Sequence, residues 1–307
     1  MAAATTSLPG AVALVGYGEV GGILAEDLRA RGVAVTAFDI KLATVAGDAM
    51  RQHAQAHGVH LAACAAAAVQ RAGLVVSAVT ASQAVAVAQA CAPAIAPGAF
   101  FLDFNSASPG AKISAAVHIN AAGGRYVEGA VMTSVPPYRI KVPLLLGGPD
   151  AAALAPLLAA MGFAPRVASS TLGVASATKM CRSVMLKGLE AMVIESFTTA
   201  RALGVEDAVL ASLAETFPGI DWERQGAYFF QRVIGHGRRR SEEMFEAAQT
   251  VREAGLDPWS ASASAQRQAA VAALADTGLF GTRGEPGFAR SADWRTEADR
   301  LLASRKA

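Results

Sequence analysis

The run Ala11-Val12-Ala13-Leu14-Val15-Gly16-Tyr17-Gly18-Glu19-Val20-Gly21 decides how the first half of this chain folds. Five unbroken apolar residues read as a strand buried on both faces. The G-x-G-x-x-G after it opens a helix predicted over Glu19–Arg31, with Gly32 as its stop. Each glycine has its own task. Gly16 permits the tight turn, Gly18 lets the backbone approach a pyrophosphate, and Gly21 lets the helix pack close to the sheet. Free N–H groups at the start of that helix favour an anion. The next strand, Val33–Phe38, ends on Asp39, near the spacing of about 20 residues at which a carboxylate receives the ribose hydroxyls of NAD. The same carboxylate repels the 2′-phosphate of NADP, although Lys41 offers that phosphate a counter-charge. NAD is therefore favoured, with NADP possible. The dinucleotide-binding set is Gly16, Tyr17, Gly18, Glu19, Val20, Gly21, Asp39 and Lys41, joined by Val79 and Thr80 at the end of a later strand. The bland alternative is a glycine-rich turn that holds no ligand.

Outward from this run, strands and helices alternate. A helix is predicted over Lys41–His57, a weak strand at Val59–Leu61, strands at Leu74–Val79 and Ala99–Asp103, and the helix Ser82–Cys91 between those two. Further strands follow at Tyr126–Val127 and Val142–Leu146. Continuous apolar strands spaced by helices indicate a parallel sheet covered on both faces. Past Val167 the strand signal fades. Helices are predicted at Ala168–Leu203 (closed by Gly204), Glu206–Thr216, Arg224–Ile234, Arg240–Ala254 and Pro258–Ala275, then a Gly/Pro-rich stretch, Gly278–Gly287, and a short polar tail helix. The fold class is α/β: a Rossmann-type doubly wound parallel sheet over residues 1–167, followed by an all-helical domain over 168–307.

Composition agrees. A chain of 307 residues suits two domains. A hydrophobic share of 53% against 17% charged excludes a disordered polyelectrolyte. The net charge of +2 is spread along the chain, so neither nucleic acid nor a membrane surface is an expected partner. Cys64, Cys91 and Cys181 make no disulfide framework and no metal spacing, which points to a reducing compartment, the cytoplasm. The opening MAAATTSLPG lacks the basic and apolar regions of a signal peptide. Gln89, Pro93 and Pro97 interrupt the most apolar stretch, Ala84–Leu102, so it does not read as a membrane span. His53, His57, His60 and His118 read as structural or solvated, and no spacing of His, Cys and carboxylates marks a metal site.

The helix from Thr178 to Phe197 carries the chemistry. At 3.6 residues per turn, Lys179, Ser183, Lys187 and Glu190 fall within about 80° of one another, with Arg182 beside them. Met180, Val184, Met185, Leu189, Met192 and Val193 cover much of the rest, so the helix looks buried. A buried charged stripe is costly unless it is paired or lines a site. An internal network with Glu190 between Lys187 and Arg182 is one reading. For Lys179, preceded by the loop Leu172–Ala175, a functional reading is the stronger one.

From these residues the chain resembles the β-hydroxyacid dehydrogenase superfamily, the relatives of 3-hydroxyisobutyrate and 6-phosphogluconate dehydrogenase, over nearly its whole length. Gly16–Gly21 matches the cofactor loop. Asp103-Phe104-Asn105-Ser106-Ala107-Ser108-Pro109 resembles the D-x-S-T-x-S-P substrate segment. Glu128-Gly129-Ala130-Val131-Met132-Thr133-Ser134 stands where that family has D-A-P-V-S-G-G. Gly173–Ser183 resembles the G-x-G-x-x-x-K-x-x-N-N helix, with Lys179 at the catalytic lysine. Two departures touch substrate positions: Arg182 and Ser183 replace the Asn pair, and Met132-Thr133-Ser134 replaces Ser-Gly-Gly.

The resemblance implies an NAD(P)-dependent dehydrogenase acting on a small hydroxyacid-like alcohol, with its site in a cleft between the two domains and a homodimer as its assembly. Lys179 would be the general acid/base, for which burial beside Arg182 and Lys187 would favour the neutral amine. Asn105, Ser106, Met132, Thr133, Ser134 and Ser183 would bind the substrate, and Arg182 would meet its anionic group. The segment His236-Gly237-Arg238-Arg239-Arg240-Ser241-Glu242-Glu243-Met244 resembles a branch of the superfamily with a distinct C-terminal domain. There His236 and Arg239 lean towards the substrate, and a solvated helix start preceded by a loop is the bland reading. Two rival functions are an imine reductase or reductive aminase, which usually lacks the lysine, and a dinucleotide-binding protein without turnover.

Overall fold

The structure is a computed structural model that describes residues 10–289, 291 and 293–304. The chain divides into two compact units at Met180/Cys181.

The first unit is built on one eight-stranded sheet: β1 Val12–Val15, β2 Val35–Phe38, β3 His60–Leu61, β4 Leu74–Ser77, β5 Phe100–Asp103, β6 Arg125–Val131, β7 Pro143–Gly147 and β8 Ala164–Ser169. Its order is β3-β2-β1-β4-β5-β6-β7-β8. Every pairing is parallel except β6 with β7. The strand order reverses between β1 and β4, the point at which open parallel sheets hold ligands outside the carboxyl ends of their strands. Helices α1 Glu19–Arg29, α2 Gly47–His57, α3 Ala65–Val69, α4 Ala84–Cys91, α5 Pro109–Ala121, α6 Val135–Tyr138 and α7 Ala151–Ala160 connect the strands. One core centres on Leu14, Leu24, Leu74 and Leu102, another on Val75, Phe101, Ile119 and Tyr126, so both faces of the sheet are covered.

The second unit is helical. Helix α8, Val174–Leu203, begins in the first unit and continues into the second. It is followed by α9 Glu206–Thr216, α10 Trp222–Glu253, α11 Trp259–Asp276 and α12 Trp294–Ala303. Phe197, Trp222, Phe230, Val233, Phe280 and Trp294 form the core of this unit. Among the described residues no helix is long and apolar enough to cross a membrane.

Three sequence expectations are corrected. The stretch predicted as one helix over Lys41–His57 is a 3-10 turn, Ile40–Ala43, and then α2. The long helix starts at Val174 rather than Ala168, because Ala168 and Ser169 close β8, an exposed edge strand whose Pro165 and Arg166 hide its strand pattern. The two helices predicted at Arg224–Ile234 and Arg240–Ala254 are one, α10, so His236–Arg239 lies within a helix and not in a loop. Gly237 is no breaker there. A Cβ on it would stand 2.9 Å from the Gln268 carbonyl oxygen and 3.2 Å from the Ala272 Cβ, so the glycine lets α10 and α11 approach closely.

Candidate functional site

The loop after β1 is shaped by contacts only glycine permits. Gly16 has φ +100°, and a Cβ on it would lie 2.3 Å from the Ala78 carbonyl oxygen, on the loop that follows β4. A Cβ on Gly21 would lie 2.1 Å from the Gly16 oxygen, so the first turn of α1 rests on the loop. Gly18 differs: it is exposed, it is the N-cap of α1, and a Cβ there would meet nothing within 4 Å. No side chain at Gly18 caps the helix, which leaves the first N–H groups of α1 open towards an incoming anion. Glu19 is exposed and Val20 half-buried in that first turn. A pyrophosphate therefore fits this cradle on the evidence of the open space over Gly18 and the uncapped helix end.

Asp39 fixes the loop from the neighbouring strand. Its Oδ2 accepts the Tyr17 N–H at 2.8 Å and its Oδ1 accepts the Lys41 N–H at 2.9 Å. Each oxygen keeps a lone pair for a further donor such as a ribose hydroxyl. The Lys41 side chain is exposed, and Tyr17 is buried with its hydroxyl on His53 Nδ1.

Asn105 is turned into the sheet rather than outward. Its Oδ1 accepts the Val79 N–H at 2.7 Å and its Nδ2 donates to Ser77 Oγ at 2.9 Å. It thereby ties the loop after β5 to the loop carrying Val79 and the exposed Thr80. Next to it, Ser106 Oγ accepts a hydrogen bond from Lys179 Nζ at 2.5 Å. Two residues singled out 73 positions apart are thus brought together. Met132 and Ser134 are half-buried and Thr133 exposed, just past the end of β6.

Sequence reasoning missed what holds these groups in place. Glu128, fully buried in β6, accepts the Ala175 N–H at 3.0 Å and the Ser176 hydroxyl at 2.7 Å, at the start of the helix that carries Lys179. A carboxylate suits that end of a helix. Asp103 and Lys112, both 0% exposed, are paired at 2.8 Å. Lys112 also donates to the Asp103 and Gly129 carbonyls, and Asp103 accepts the Tyr126 hydroxyl at 2.7 Å and the Asn105 N–H at 2.9 Å. The available signal was a carboxylate inside a strand buried on both faces, FFLD for Asp103 and RYVEGAV for Glu128.

In the second unit the predicted ion network exists with different partners. Glu190 does not sit between Lys187 and Arg182; it accepts from Arg240 Nε at 2.9 Å and from Arg240 Nη2. Lys187 pairs with Glu243 at 2.5 Å and donates to Ser183 Oγ at 3.2 Å, and Arg239 pairs with Glu243 at 2.6 Å. Burial pulls the Lys187 ammonium below its ordinary pKa, and the Glu243 carboxylate opposes that shift. Arg182 is exposed and Ser183 buried. Nor is the helix wrapped as expected, since Met185 and Met192 are 73% and 62% exposed. Arg232 adds a further guanidinium, with its buried Nε lacking a hydrogen-bond partner.

His236 lies on the exposed side of α10. Desolvation of its ring and the charges of Arg239, Arg232, Arg240 and Arg283 push its pKa down to about 4. A folded-state value below the unfolded one of about 6.5 means that the unfolded chain binds the proton first. Stability is therefore lost as pH falls from about 6.5 towards 4. The melting temperature of His236→Gln should fall less steeply than the wild type's across that window; parallel profiles would refute the assignment.

Residues 11–191 match the family model described as the NAD binding domain of 6-phosphogluconate dehydrogenase. The chain belongs to that family. Residues 200–271 match a second model, a domain of unknown function (DUF1932). A conserved hypothetical protein from Sinorhizobium meliloti 1021 is 36% identical, with 97% of each chain covered and a TM-score of 0.75. An uncharacterized 28.5 kDa protein of Methanothermus fervidus is 30% identical over 62% of this chain and 72% of its own. A 3-hydroxyisobutyrate dehydrogenase from Mycobacterium tuberculosis has a TM-score of 0.71 over 96% of this chain and 99% of that one. At 18% identity that last likeness speaks for the fold alone. The chain is an NAD(P)-binding family member on a 3-hydroxyacid dehydrogenase-like fold.

Proposed function

We propose that this protein is an NAD(P)-dependent dehydrogenase of a small hydroxyacid-like alcohol, with Lys179 as its general acid/base. The observation that carries the reading is the Lys179–Ser106 hydrogen bond in the same unit as the glycine cradle. A bound nicotinamide supplies the acceptor or donor of a hydride. The chain supplies the rest. Gly16–Gly21 and the α1 N-terminus bind the pyrophosphate, and Asp39 accepts from the ribose, which favours NAD. Val79 and Thr80 line the end of β4 beside that cradle.

Neutral Lys179 takes the substrate hydroxyl proton as the carbonyl forms, and its ammonium returns that proton in the reverse direction. Ser106 holds the amine in position and Glu128 holds the helix start that bears it. Asn105 acts as a positioning residue, since its amide is already spent on Ser77 and Val79. Met132, Thr133 and Ser134, just past the end of β6, contact the substrate. Within the helical unit, the exposed Arg182 suits an anion, and Arg239 and His236 lie in a cluster whose cations outnumber its carboxylates. The test is a panel of short hydroxyacids with NAD and with NADP, followed by the absorbance of the reduced nicotinamide. Turnover of at least one with NAD supports the reading, and reduction of imines with no hydroxyacid turnover rejects it.

We also propose a homodimer in a reducing compartment. Met185, Leu186 and Met192 on α8 are 73%, 44% and 62% exposed, an apolar surface that a second copy would cover. Light scattering should return twice the chain mass; a monomer would contradict this.

A further inference from the structure

Sequence spacing marks no metal, yet the fold gathers three side chains able to ligate one on the surface of the first unit. His53 and His57 stand one turn apart on α2 and project the same way, with ring centroids 4.5 Å apart. Helix α1 presents Glu26 to both. Glu26 Oε1 lies 2.8 Å from His53 Nε2 and 3.9 Å from His57 Nε2, and the three ligand atoms lie within 4.8 Å of one another. Tetrahedral ligands about 2.0–2.1 Å from a zinc ion stand about 3.3 Å apart, so the observed spacings bracket what an ion needs.

We propose that Glu26 Oε1, His53 Nε2 and His57 Nε2 form a three-ligand site for a divalent transition-metal ion of the zinc type, with water in the fourth position. The groups behind the ligands argue for a built site rather than a chance cluster. A metal-bound histidine needs its other ring nitrogen held, and Tyr17 Oη stands 2.8 Å from His53 Nδ1. A metal-bound carboxylate needs its second oxygen held, and Arg139 donates to Glu26 Oε2 at 2.5 Å while also donating to Asp27 at 3.0 Å. Arg139 takes φ +52° where it does this, a backbone state rare outside glycine. That leaves Oε1 and the two Nε2 atoms turned towards one another, with Oε1 and His53 Nε2 within hydrogen-bond distance at 2.8 Å. The fourth position is open to solvent, since the side chain of His57 is 39% exposed and that of Glu26 29%. Two imidazoles and one carboxylate suit zinc, cobalt, nickel or copper, and not magnesium or calcium. The ordinary alternative is a Glu26–His53 hydrogen bond that holds no ion.

The experiment titrates the metal-stripped full chain with Zn2+ by calorimetry and with Co2+ by visible absorption. We expect one ion per chain, a four-coordinate Co2+ spectrum and no thiolate charge-transfer band. His57→Ala and Glu26→Gln should each weaken Zn2+ at least tenfold, whereas His118→Ala, on α5, should leave it unchanged. His57 is the last residue of α2, so its variant keeps the fold, and circular dichroism checks this. An affinity unchanged in His57→Ala would overturn the proposal, as would a thiolate band placing the ion on Cys64 or Cys181, or no binding at all.

Discussion

In Lys179→Ala, turnover of whichever hydroxyacid the wild type oxidises should fall by about 10²–10⁴-fold, the usual worth of a positioned acid or base. Dinucleotide affinity should stay at the wild-type value, because the cradle of Gly16–Gly21 involves no part of Lys179. Lys179→Arg separates base from charge. It preserves the cation and a donor to Ser106, but a guanidinium does not deprotonate in a protein. Its turnover should fall as far as that of the alanine variant. An arginine variant with near-wild-type turnover would mean that Lys179 only supplies charge, and that the proton goes elsewhere. A small primary amine added to Lys179→Ala should restore part of the lost rate, with dependence on the amine's own pKa.

Lys112→Met should destabilise the protein by about 3–5 kcal/mol, the cost of leaving one partner of a buried ion pair uncompensated. Asp103 would keep two donors, the Tyr126 hydroxyl and the Asn105 N–H, but lose its cation in a place with 0% exposure. The double variant Asp103→Asn/Lys112→Met should recover part of that loss, since it removes the stranded charge. Chemical denaturation of the wild type and the two variants gives the comparison. A loss under about 1 kcal/mol in the single variant would show that Asp103 finds other compensation, against the geometry. The pair also matters for the site. Asp103 holds the Asn105 backbone, Asn105 holds Val79, and Ser106 follows in the chain, so slackening at Lys112 reaches the residue that fixes Lys179.

The sequence disclosed what is local. Glycine spacing after an apolar strand, a carboxylate at the next strand's end and a lysine early in a helix are patterns in neighbouring residues, and the structure places Lys179 on Ser106. Long-range partners were not legible. Glu128 reaches the start of α8 from 47 residues away, and Glu190 pairs with Arg240 on another helix, whereas spacing suggests partners on its own helix. Helix α10 reads as two helices because Gly235 and Gly237 look like breakers, whereas Gly237 serves close packing against Gln268 and Ala272. Neither was Asn105's inward turn visible, because a polar residue in a substrate-like motif reads as ligand-facing until its partners are known. His53 and His57 looked like surface residues, and only the packing of α2 beside α1 brings Glu26 to them.

The most direct test is a thermal titration of wild type and Gly18→Ala with NAD and with NADP. Alanine at position 18 meets nothing within 4 Å and takes an ordinary backbone state at φ −79°, so the variant should fold and melt close to the wild type without ligand. Its methyl group occupies the space assigned to the pyrophosphate. Binding to the folded state raises the midpoint by mass action. NAD should therefore stabilise the wild type more than NADP does, with Gly18→Ala losing at least tenfold in affinity. A wild type that neither dinucleotide stabilises, or a Gly18→Ala variant that binds NAD as well as the wild type, would contradict the account at its root.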